Sequence, residues 1–314
     1  MANNTKAVVK SISAINNATE TSDRDNTSRP GFGEHDIMLN DIKIHYTVRG
    51  KGPVLLAISG GPGFDARLWD DFGSIDDFTK IVAMHPRGSG LSGPAPQDTD
   101  YTLPHYAADV ETLRAYLGIA KPIVMGWSHG GMIALQFAFT YPDSLSKLIL
   151  IDTSAYFGEF MGDVDKAVQA FRDKPWFEKS YAALKKDMAG DYRTDDDMKA
   201  LWAEEMKFYF HDFNDRAMAF HERTKDYPVS IAPLKCWEKE MPVMDLRPHL
   251  KDIKVPTLVI VGRHDFITTV PMAEVLAGNI RAARLEIFEK SGHCAIVEEQ
   301  EKFYCITKKF INDG

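Results

Sequence analysis

The sequence predicts an α/β fold with a mostly parallel central sheet, flanking helices and an inserted helical cap. Continuous apolar runs alternate with amphipathic stretches in the first half of the chain and again near its end. Strands that are apolar throughout and alternate with helices form parallel sheets that are covered on both faces. Between residues 155 and 245 these runs vanish, and charges mix with aromatic and methionine side chains at helical spacing. That stretch predicts the cap.

The elements before the cap can be placed one by one. Two alternating runs around Asn40 and Asp41 predict a hairpin at residues 35–50. Each of the next two apolar runs stops at a glycine-containing loop, "GGPG" or "RGSG", which favours buried strands. The remaining predictions before the cap are strands at 53–59, 78–86, 121–128 and 146–154, and helices at 106–120 and 129–145.

After the cap the sheet pattern resumes. The predictions are strands at 255–262 and 283–289, a helix near 270–279 and a closing helix at 298–313. The sequence therefore predicts one core domain, residues 35–154 and 246–314, which a helical cap at 155–245 interrupts. The first 34 residues are rich in Asn, Thr, Ser and Asp and predict a flexible tail.

Composition narrows the classes of function. The 314 residues carry a net charge of −8, which argues against a nucleic-acid partner and against anchoring to anionic lipid. No run of 18 apolar residues predicts a membrane span. The three cysteines, Cys236, Cys294 and Cys305, form neither a disulfide framework nor a metal-binding pattern. We expect a cytoplasmic protein with a small-molecule substrate and no cofactor or metal, and the sequence leaves the oligomeric state open.

The stretch "GWSHGG", residues 126–131, has the pattern G-x-S-x-G between a predicted strand and a predicted helix. A serine on such a turn must adopt a strained backbone that lifts its hydroxyl group above the sheet. Small neighbours are needed where the helix passes close to the strand, and Gly126, Gly130 and Gly131 supply them. The stretch therefore predicts that Ser128 is a nucleophile.

A serine hydroxyl is a weak nucleophile at neutral pH and needs a base. His293 follows the predicted strand at 283–289, and Asp265 follows the predicted strand at 255–262. We expect His293 to move the proton and Asp265 to orient and stabilise the imidazole. Asp152 ends the run "LILID" at the same edge of the sheet and stays open as an alternative acid.

Acyl transfer also needs hydrogen-bond donors for the oxyanion that develops in the transition state. The backbone N–H of His129, directly after the serine, is one predicted donor. The second is the N–H of Gly61 in the loop "SGGPG", residues 59–63.

Together, "SGGPGF", "HPRGSGLS", "GWSHGG", "GRHD" and "SGH" resemble the α/β-hydrolase superfamily of serine hydrolases, within it the proline iminopeptidase (S33-like) branch. The resemblance spans roughly residues 35–152 and 246–314 and implies the α/β-hydrolase fold with a Ser-His-Asp triad. That branch usually has His-Gly-Gly-Pro-Gly and Asp-Gln-Arg-Gly-Ser-Gly. This chain has Ser59 in place of the histidine, and His85 and Pro86 in place of the Asp-Gln pair.

An iminopeptidase must recognise a free N-terminal ammonium group, so the resemblance implies that carboxylates project from the cap into the pocket. The candidates are Glu204, Glu205 and Glu238. Trp127, beside the serine, and Trp237, in the cap, are predicted to contact the substrate. The further cap aromatics, Trp202, Phe208, Tyr209 and Phe210, favour a moderately apolar substrate.

Several functions remain open from the sequence. The leading hypothesis is a serine hydrolase that cleaves a small ester or amide through an acyl-enzyme. One alternative is a lactone or carboxylester hydrolase without peptidase activity. Another is a cofactor-free oxygenase of the same fold, because some such enzymes carry the Ser-His-Gly-Gly run seen at 128–131. A third is a binding protein that has kept a hydrolase pocket. The presence of Ser128, Asp265 and His293 together argues against this third alternative.

Overall fold

The computed structural model describes residues 31–70, 74–157 and 164–313. The predicted N-terminal tail, residues 1–34, therefore falls mostly outside the described residues. The first strand begins at Gly33, one residue before the predicted end of that tail.

Eight strands form one sheet in the order β1-β2-β4-β3-β5-β6-β7-β8. Their bounds are β1 Gly33–Leu39, β2 Ile42–Gly50, β3 Val54–Ile58, β4 Lys80–Met84, β5 Ile123–Trp127, β6 Lys147–Ile151, β7 Thr257–Gly262 and β8 Ala283–Phe288. The β1–β2 and β2–β4 pairs are antiparallel, and the remaining neighbours are parallel. The predicted α/β class is thus confirmed, with the hairpin as an antiparallel edge.

Helices connect and cover the strands. Ten α-helices lie in the described residues: α1 Leu103–Tyr116, α2 His129–Thr140, α3 Val164–Val168, α4 Phe177–Met188, α5 Asp195–Glu205, α6 Asp215–Thr224, α7 Ile231–Glu240, α8 Val270–Asn279, α9 Ala295–Glu298 and α10 Gln300–Asn312. Short 3-10 helices are Ala66–Asp70, Ile75–Asp77, Asp98–Asp100, Gln169–Phe171, Met206–Tyr209, Met241–Val243 and Arg247–Asp252. Across these described ranges, no helix has both the length and the apolar character that crossing a membrane requires.

Strands β3 to β7 bury both of their faces. Alternate side chains of β5, for example, go to opposite layers, with Val124 in the core under α1 and α2 and Ile123 and Met125 in the core under α10. Successive side chains of a strand point to opposite faces, so a strand covered on both sides must be apolar throughout. This is why these runs lack the alternation that the β1–β2 hairpin shows.

The chain between β6 and β7 supplies helices α3 to α7, the stretch predicted as the cap. Tyr156 and Asp245 pair as an isolated antiparallel bridge where the chain leaves and re-enters the sheet domain. A second isolated bridge joins Phe64, in the loop after β3, to Val229. These contacts hold the helical insertion over the carboxyl ends of the strands, where α/β sheets bind their ligands.

Candidate active site

Ser128 lies between the end of β5 and the start of α2. Its backbone has φ 52° and ψ −123°, outside the regions that non-glycine residues favour. Its N–H donates to the carbonyl of Ile151 on the neighbouring strand, and its carbonyl accepts from the Thr153 hydroxyl. Strained backbone of this kind persists only where surrounding contacts fix it, and it characterises the strand-to-helix elbow.

The glycines beside Ser128 are required by close contacts. A Cβ atom on Gly126 would lie 2.2 Å from the Gly130 carbonyl oxygen, and one on Gly130 would lie 2.3 Å from the Ile58 carbonyl oxygen. Any side chain at either position would collide with backbone atoms that cannot move aside. The spacing of glycines in "GWSHGG" therefore follows from how closely α2 crosses β5 and β3.

His293 and Asp265 form a buried pair after strands β8 and β7. The His293 Nδ1 atom lies 2.7 Å from Asp265 Oδ2, so Nδ1–H donates and Nε2 is left for another partner. Asp265 also accepts from the backbone N–H of Ile267 and Thr268 and from the Thr268 hydroxyl. The carboxylate is thus fully engaged and cannot rotate away from the imidazole.

The pKa of His293 reflects two opposing effects. Burial favours the neutral ring and lowers the pKa, whereas the charge of Asp265, its hydrogen bond and the nearby Asp152 raise it. The effects that raise the pKa outweigh burial, so the pKa of His293 lies above its ordinary value of 6.5. Asp265 thus stabilises the charged form that the imidazole adopts once it has accepted a proton.

Backbone and side-chain contacts also fix the loop of His293. The Trp127 indole N–H donates to the His293 carbonyl at 2.9 Å, and the His293 N–H donates to the Tyr209 carbonyl at 2.7 Å. Trp127, next to Ser128, thereby connects the elbow to the histidine loop. Tyr209 belongs to the insertion, so the cap also contacts the backbone of His293.

Asp152, the alternative acid, has no hydrogen bond to the imidazole of His293 among the contacts of the described residues. Its carboxyl oxygens instead accept the backbone N–H groups of Gly262 and Ala295. Burial, followed by the charge of Asp265, raises the pKa of Asp152 to about 8. The geometry therefore favours Asp265 as the partner of His293.

The two predicted oxyanion donors lie beside the serine. His129 is the first residue of α2, and first-turn N–H groups have no partner within their own helix. Gly61 lines the same cavity as Ser128. A Cβ atom on the adjoining Gly60 would lie 3.0 Å from the Ser128 Cβ, which shows how closely this loop passes the hydroxyl group.

The His129 side chain lies away from the cavity. Its ring packs edge-on against Tyr106 and Trp237, with centroid distances of 5.4 and 4.8 Å. Burial lowers the pKa of His129 to about 3, so the ring is neutral. His264, beside Asp265, stacks on His211 at 3.6 Å between centroids, at the junction of the sheet domain and the cap.

A cavity of about 310 Å³ opens above Ser128 between the sheet and the cap. Its floor is formed by Ser128, His293 and the loop at residues 59–63, called the glycine loop below. Apolar and aromatic side chains form most of its wall. The aromatic and apolar lining comprises Phe64, Leu68, Trp127, Met188, Met198, Trp202, Tyr209, Leu234, Trp237, Met241 and Ile267. Of the predicted cap aromatics, Phe208 and Phe210 instead pack in the protein core.

Three carboxylates interrupt the apolar wall: Asp187 on α4, Glu205 on α5 and Glu238 on α7. Glu205 is completely buried, and neither of its carboxylate oxygens has a hydrogen-bond partner. Burial and then the charge of Asp187 raise the pKa of Glu205 well above its usual value. Burial and then the charge of Glu238 raise the pKa of Asp187 to about 6.

No lysine or arginine of the described chain lines this cavity. Glu238 accepts a hydrogen bond from the Tyr192 hydroxyl. Glu204, the remaining predicted carboxylate, lies outside the cavity and pairs with Lys179 and Lys207 at 2.5 and 2.8 Å. The cavity wall therefore has an acidic patch without a protein counter-charge.

The structure also brings in residues that sequence reasoning missed. Asp187 was not predicted, because it lies near the end of α4 in a segment with ordinary helical spacing. Thr268 was also missed, although a threonine three residues after the acid in "DFIT" is typical of a local side-chain turn. Among the described residues, no group of three or more His, Cys, Asp or Glu side chains is arranged to hold a metal ion.

Comparison with known proteins agrees with this geometry. A family model described as the alpha/beta hydrolase fold matches residues 53–300. The chain belongs to the α/β-hydrolase family. It is therefore a hydrolase by family. Ser128, Asp265 and His293 follow one another in the chain order in which this family carries its nucleophile, acid and histidine.

Curated relatives of this hydrolase include two kinds of enzyme. A proline iminopeptidase from Saccharolobus solfataricus is 27% identical over 281 residues, which cover 85% of this chain and 87% of the relative. A 2-hydroxy-6-oxo-6-phenylhexa-2,4-dienoate hydrolase from Comamonas testosteroni is 27% identical over 286 residues, covering 87% and 92%. The resemblance of the hydrolase to the proline iminopeptidase branch is thus confirmed.

A solved structure shares the fold of this hydrolase at lower identity. The enol-lactonase from Burkholderia xenovorans LB400 has a TM-score of 0.68 at 22% identity, covering 89% of this chain and all of that one (100%).

Proposed function

We propose that the protein is a serine hydrolase of the aminopeptidase type, which releases an N-terminal residue such as proline from an amide or ester. The observation that carries this proposal is Glu205, a completely buried carboxylate without a protein partner in the cavity that Ser128 and His293 line. A buried charge is costly unless it is paired. A substrate ammonium group would supply the missing partner.

The size of the cavity supports the same conclusion. In an N-terminal residue a single carbon atom separates the ammonium nitrogen from the carbonyl carbon that is attacked. A site for such a substrate must bind the amine and attack the carbonyl within one small space. Glu205 and Ser128 line one cavity of about 310 Å³, and its apolar wall suits the ring of a prolyl residue.

The proposed mechanism uses the buried pair in its usual roles. Ser128 Oγ attacks the carbonyl carbon while His293 Nε2 takes the hydroxyl proton, and Asp265 stabilises the imidazolium that forms. The N–H groups of Gly61 and His129 stabilise the oxyanion. His293 then gives its proton to the leaving group, which departs, and the acyl group stays on Ser128. A water molecule, deprotonated by His293, hydrolyses this ester and regenerates the serine.

The acidic patch separates this proposal from the alternatives. The dienoate named for the Comamonas relative is itself an anion. The cavity wall carries three acidic side chains and no described lysine or arginine, so it offers such an anion no cationic partner. An uncharged ester or lactone would fit the apolar wall but leave Glu205 without a partner. The oxygenase alternative gains no support from His129, whose ring lies in the core.

The adjacent pair Glu204 and Glu205 provides a matched test. Glu205→Gln removes the proposed partner of the ammonium group, and Glu204→Gln removes an outward-facing carboxylate from the same helix. We expect Glu205→Gln to lower kcat/KM for a prolyl arylamide by about 10- to 100-fold, mainly through KM, because a hydrogen bond to a charged group is lost. Glu204→Gln should stay close to the wild type.

An aryl ester without an amine serves as the internal control, because it does not use the acidic patch. Its hydrolysis by Glu205→Gln should stay within about two-fold of the wild type, given the scatter of neutral substitutions. Equal effects of the two glutamine variants on the prolyl substrate would refute the assignment of Glu205. Hydrolysis of aryl esters or lactones alone would replace the peptidase with the esterase or lactonase alternative.

A further inference from the structure

Asp152 holds an unusual place at the end of β6. Its φ of 42° lies in the left-handed region, which side chains other than glycine enter at a cost. Its N–H donates to the Ile260 carbonyl on β7 at 2.9 Å, and this bond fixes the strained backbone. The carboxyl group is completely buried and is not part of the cavity wall. Any role in the reaction must therefore act through other residues.

The two carboxyl oxygens of Asp152 contact two different loops. Oδ1 accepts the N–H of Gly262 at 2.9 Å, and Oδ2 accepts the N–H of Ala295 at 3.2 Å. Gly262 is three residues before Asp265, and its carbonyl accepts the Asp265 N–H at 3.2 Å. Ala295 is two residues after His293.

We propose that Asp152 is a positioning residue whose carboxyl group joins the Asp265 loop to the His293 loop and so sets the contact between those two side chains. The inference rests on the proposed roles of Asp265 and His293. A hydrogen bond between acid and imidazole at 2.7 Å requires both loops to be held with little freedom, since small displacements of catalytic groups lower rates strongly. One carboxyl group that accepts a bond from each loop provides this restraint directly.

The chemical surroundings support a role that is not simply structural. Three titratable groups lie close to the Asp152 carboxyl: Asp265, His293 and the buried thiol of Cys294. Burial and the Asp265 charge raise the pKa of Asp152 to about 8, against the opposing effects of His293 and the two N–H groups. A carboxyl group places an oxygen atom against each of the two backbone N–H groups, whereas an amide places an N–H₂ group against one of them.

The test compares Asp152→Asn and Asp152→Ala with a control, Asp143→Asn, at a fully exposed aspartate. Asparagine has one acceptor oxygen and places an N–H₂ group against the second backbone N–H, so one loop loses its bond. Two readouts follow the His293–Asp265 contact without any assumption about substrate. They are the rate at which a fluorophosphonate labels Ser128 and the far-downfield proton resonance of the His293 Nδ1–H.

We expect Asp152→Asn to slow labelling by about 10- to 100-fold, because a displacement of catalytic groups by about 1 Å can lower a rate by about 100-fold, and Asp152→Ala to slow it further. The downfield resonance should shift or broaden in both variants, and Asp143→Asn should match the wild type. For a prolyl arylamide, kcat should fall with little change in KM. A folded Asp152→Asn with unchanged labelling and an unchanged resonance would overturn the proposal.

Two further outcomes keep the inference separate from the proposed function. If the fluorophosphonate labels Ser128 in the wild type but the prolyl arylamide is not hydrolysed, the aminopeptidase function is refuted. The labelling rates of the Asp152 variants still test the role of Asp152 in that case. If the Asp152 variants do not fold, amide hydrogen exchange in the wild type tests the proposal instead. The proposal requires slow exchange of both the Gly262 and Ala295 N–H groups, and exchange at the rate of an exposed amide at either position contradicts it.

Discussion

At the scale of single residues, the account depends on how Asp265 controls His293. Burial would lower the pKa of this imidazole, and Asp265 reverses that effect through its charge and its hydrogen bond. In the proposed mechanism, neutral His293 is the form that accepts the serine proton. The pH at which activity falls on the acid side should therefore report the pKa of His293.

Asp265→Asn tests this control. In the wild type we expect the acid limb of Ser128 labelling to have its midpoint above 6.5, the ordinary pKa of histidine, because the pKa of His293 is raised. In the variant burial dominates, the pKa of His293 falls and the midpoint moves to lower pH. The maximal rate should drop on the order of 100- to 10,000-fold as orientation is lost. Labelling rates measured across pH give both quantities.

The matched control for this variant is Asp252→Asn, which alters a second His–Asp pair, with His249, on the protein surface. Asp252→Asn should leave the dependence of the Ser128 labelling rate on pH unchanged. A midpoint for Asp265→Asn at or above that of the wild type would contradict the assignment of Asp265.

The residues that line the catalytic edge could be predicted for a local reason. Ser128, Asp265 and His293 each follow a recognisable strand, and the ends of parallel strands meet at one edge of a sheet. The carboxylates of the cap could not be predicted in this way. Glu204 and Glu205 are adjacent on α5, and only the packing of that helix decides which of them faces the cavity. Asp187 was missed for the same reason.

At the scale of elements, the Glu298 carboxylate joins the cap to the His293 loop. One oxygen accepts the N–H groups of His211 and Asp212, and the other accepts the N–H of Gly292 at 2.6 Å. A Cβ atom on Gly292 would lie 2.6 Å from the Tyr209 carbonyl oxygen, so the two segments are in close contact. Glu298 therefore connects the position of the cap to the loop of His293, the proposed catalytic base.

Glu298→Gln should change how stability depends on pH. Burial raises the pKa of Glu298 from 4.5 to about 7, so the folded protein binds this proton more tightly than the unfolded chain does. Such a group stabilises the folded protein most below pH 4.5, and this stabilisation is lost as the pH rises to about 7. Glutamine does not titrate. The excess in unfolding free energy of the wild type over the variant should thus shrink across this window.

Urea unfolding at several pH values measures this difference, with Glu274→Gln on the exposed face of α8 as the control. A difference that grows as the pH rises from 4.5 to 7 would contradict the burial argument.

The elements themselves differed in how far the sequence could predict them. The parallel strands and the β1–β2 hairpin were predicted to within a few residues, since their patterns depend on which faces are buried. The cap was predicted as helical, but the arrangement of its helices over the sheet was not. The cap contacts the core through residues that are far apart in the sequence, as in the hydrogen bond from the His293 N–H to the Tyr209 carbonyl. No local sequence pattern predicts such contacts.

At the scale of the whole molecule, the sheet and the cap contribute different parts of one site. The sheet places Ser128, Asp265, His293 and the glycine loop at its carboxyl edge, and the proposed hydrolytic mechanism uses these residues. The cap contributes the acidic patch and most of the aromatic wall, and the proposed preference for a free amine depends on these features. The division explains why family membership follows from the sheet while the proposed substrate depends on the insertion.

The central claim is that the hydrolase requires a free amine next to the bond that it cleaves. The most direct measurement compares kcat/KM for a prolyl arylamide with that for the same arylamide carrying an N-acetyl group, which removes the positive charge. We predict a preference for the free amine on the order of 100-fold or more, because acetylation removes the partner of Glu205. Hydrolysis of both compounds at comparable rates, or of the acetylated one alone, would contradict the account.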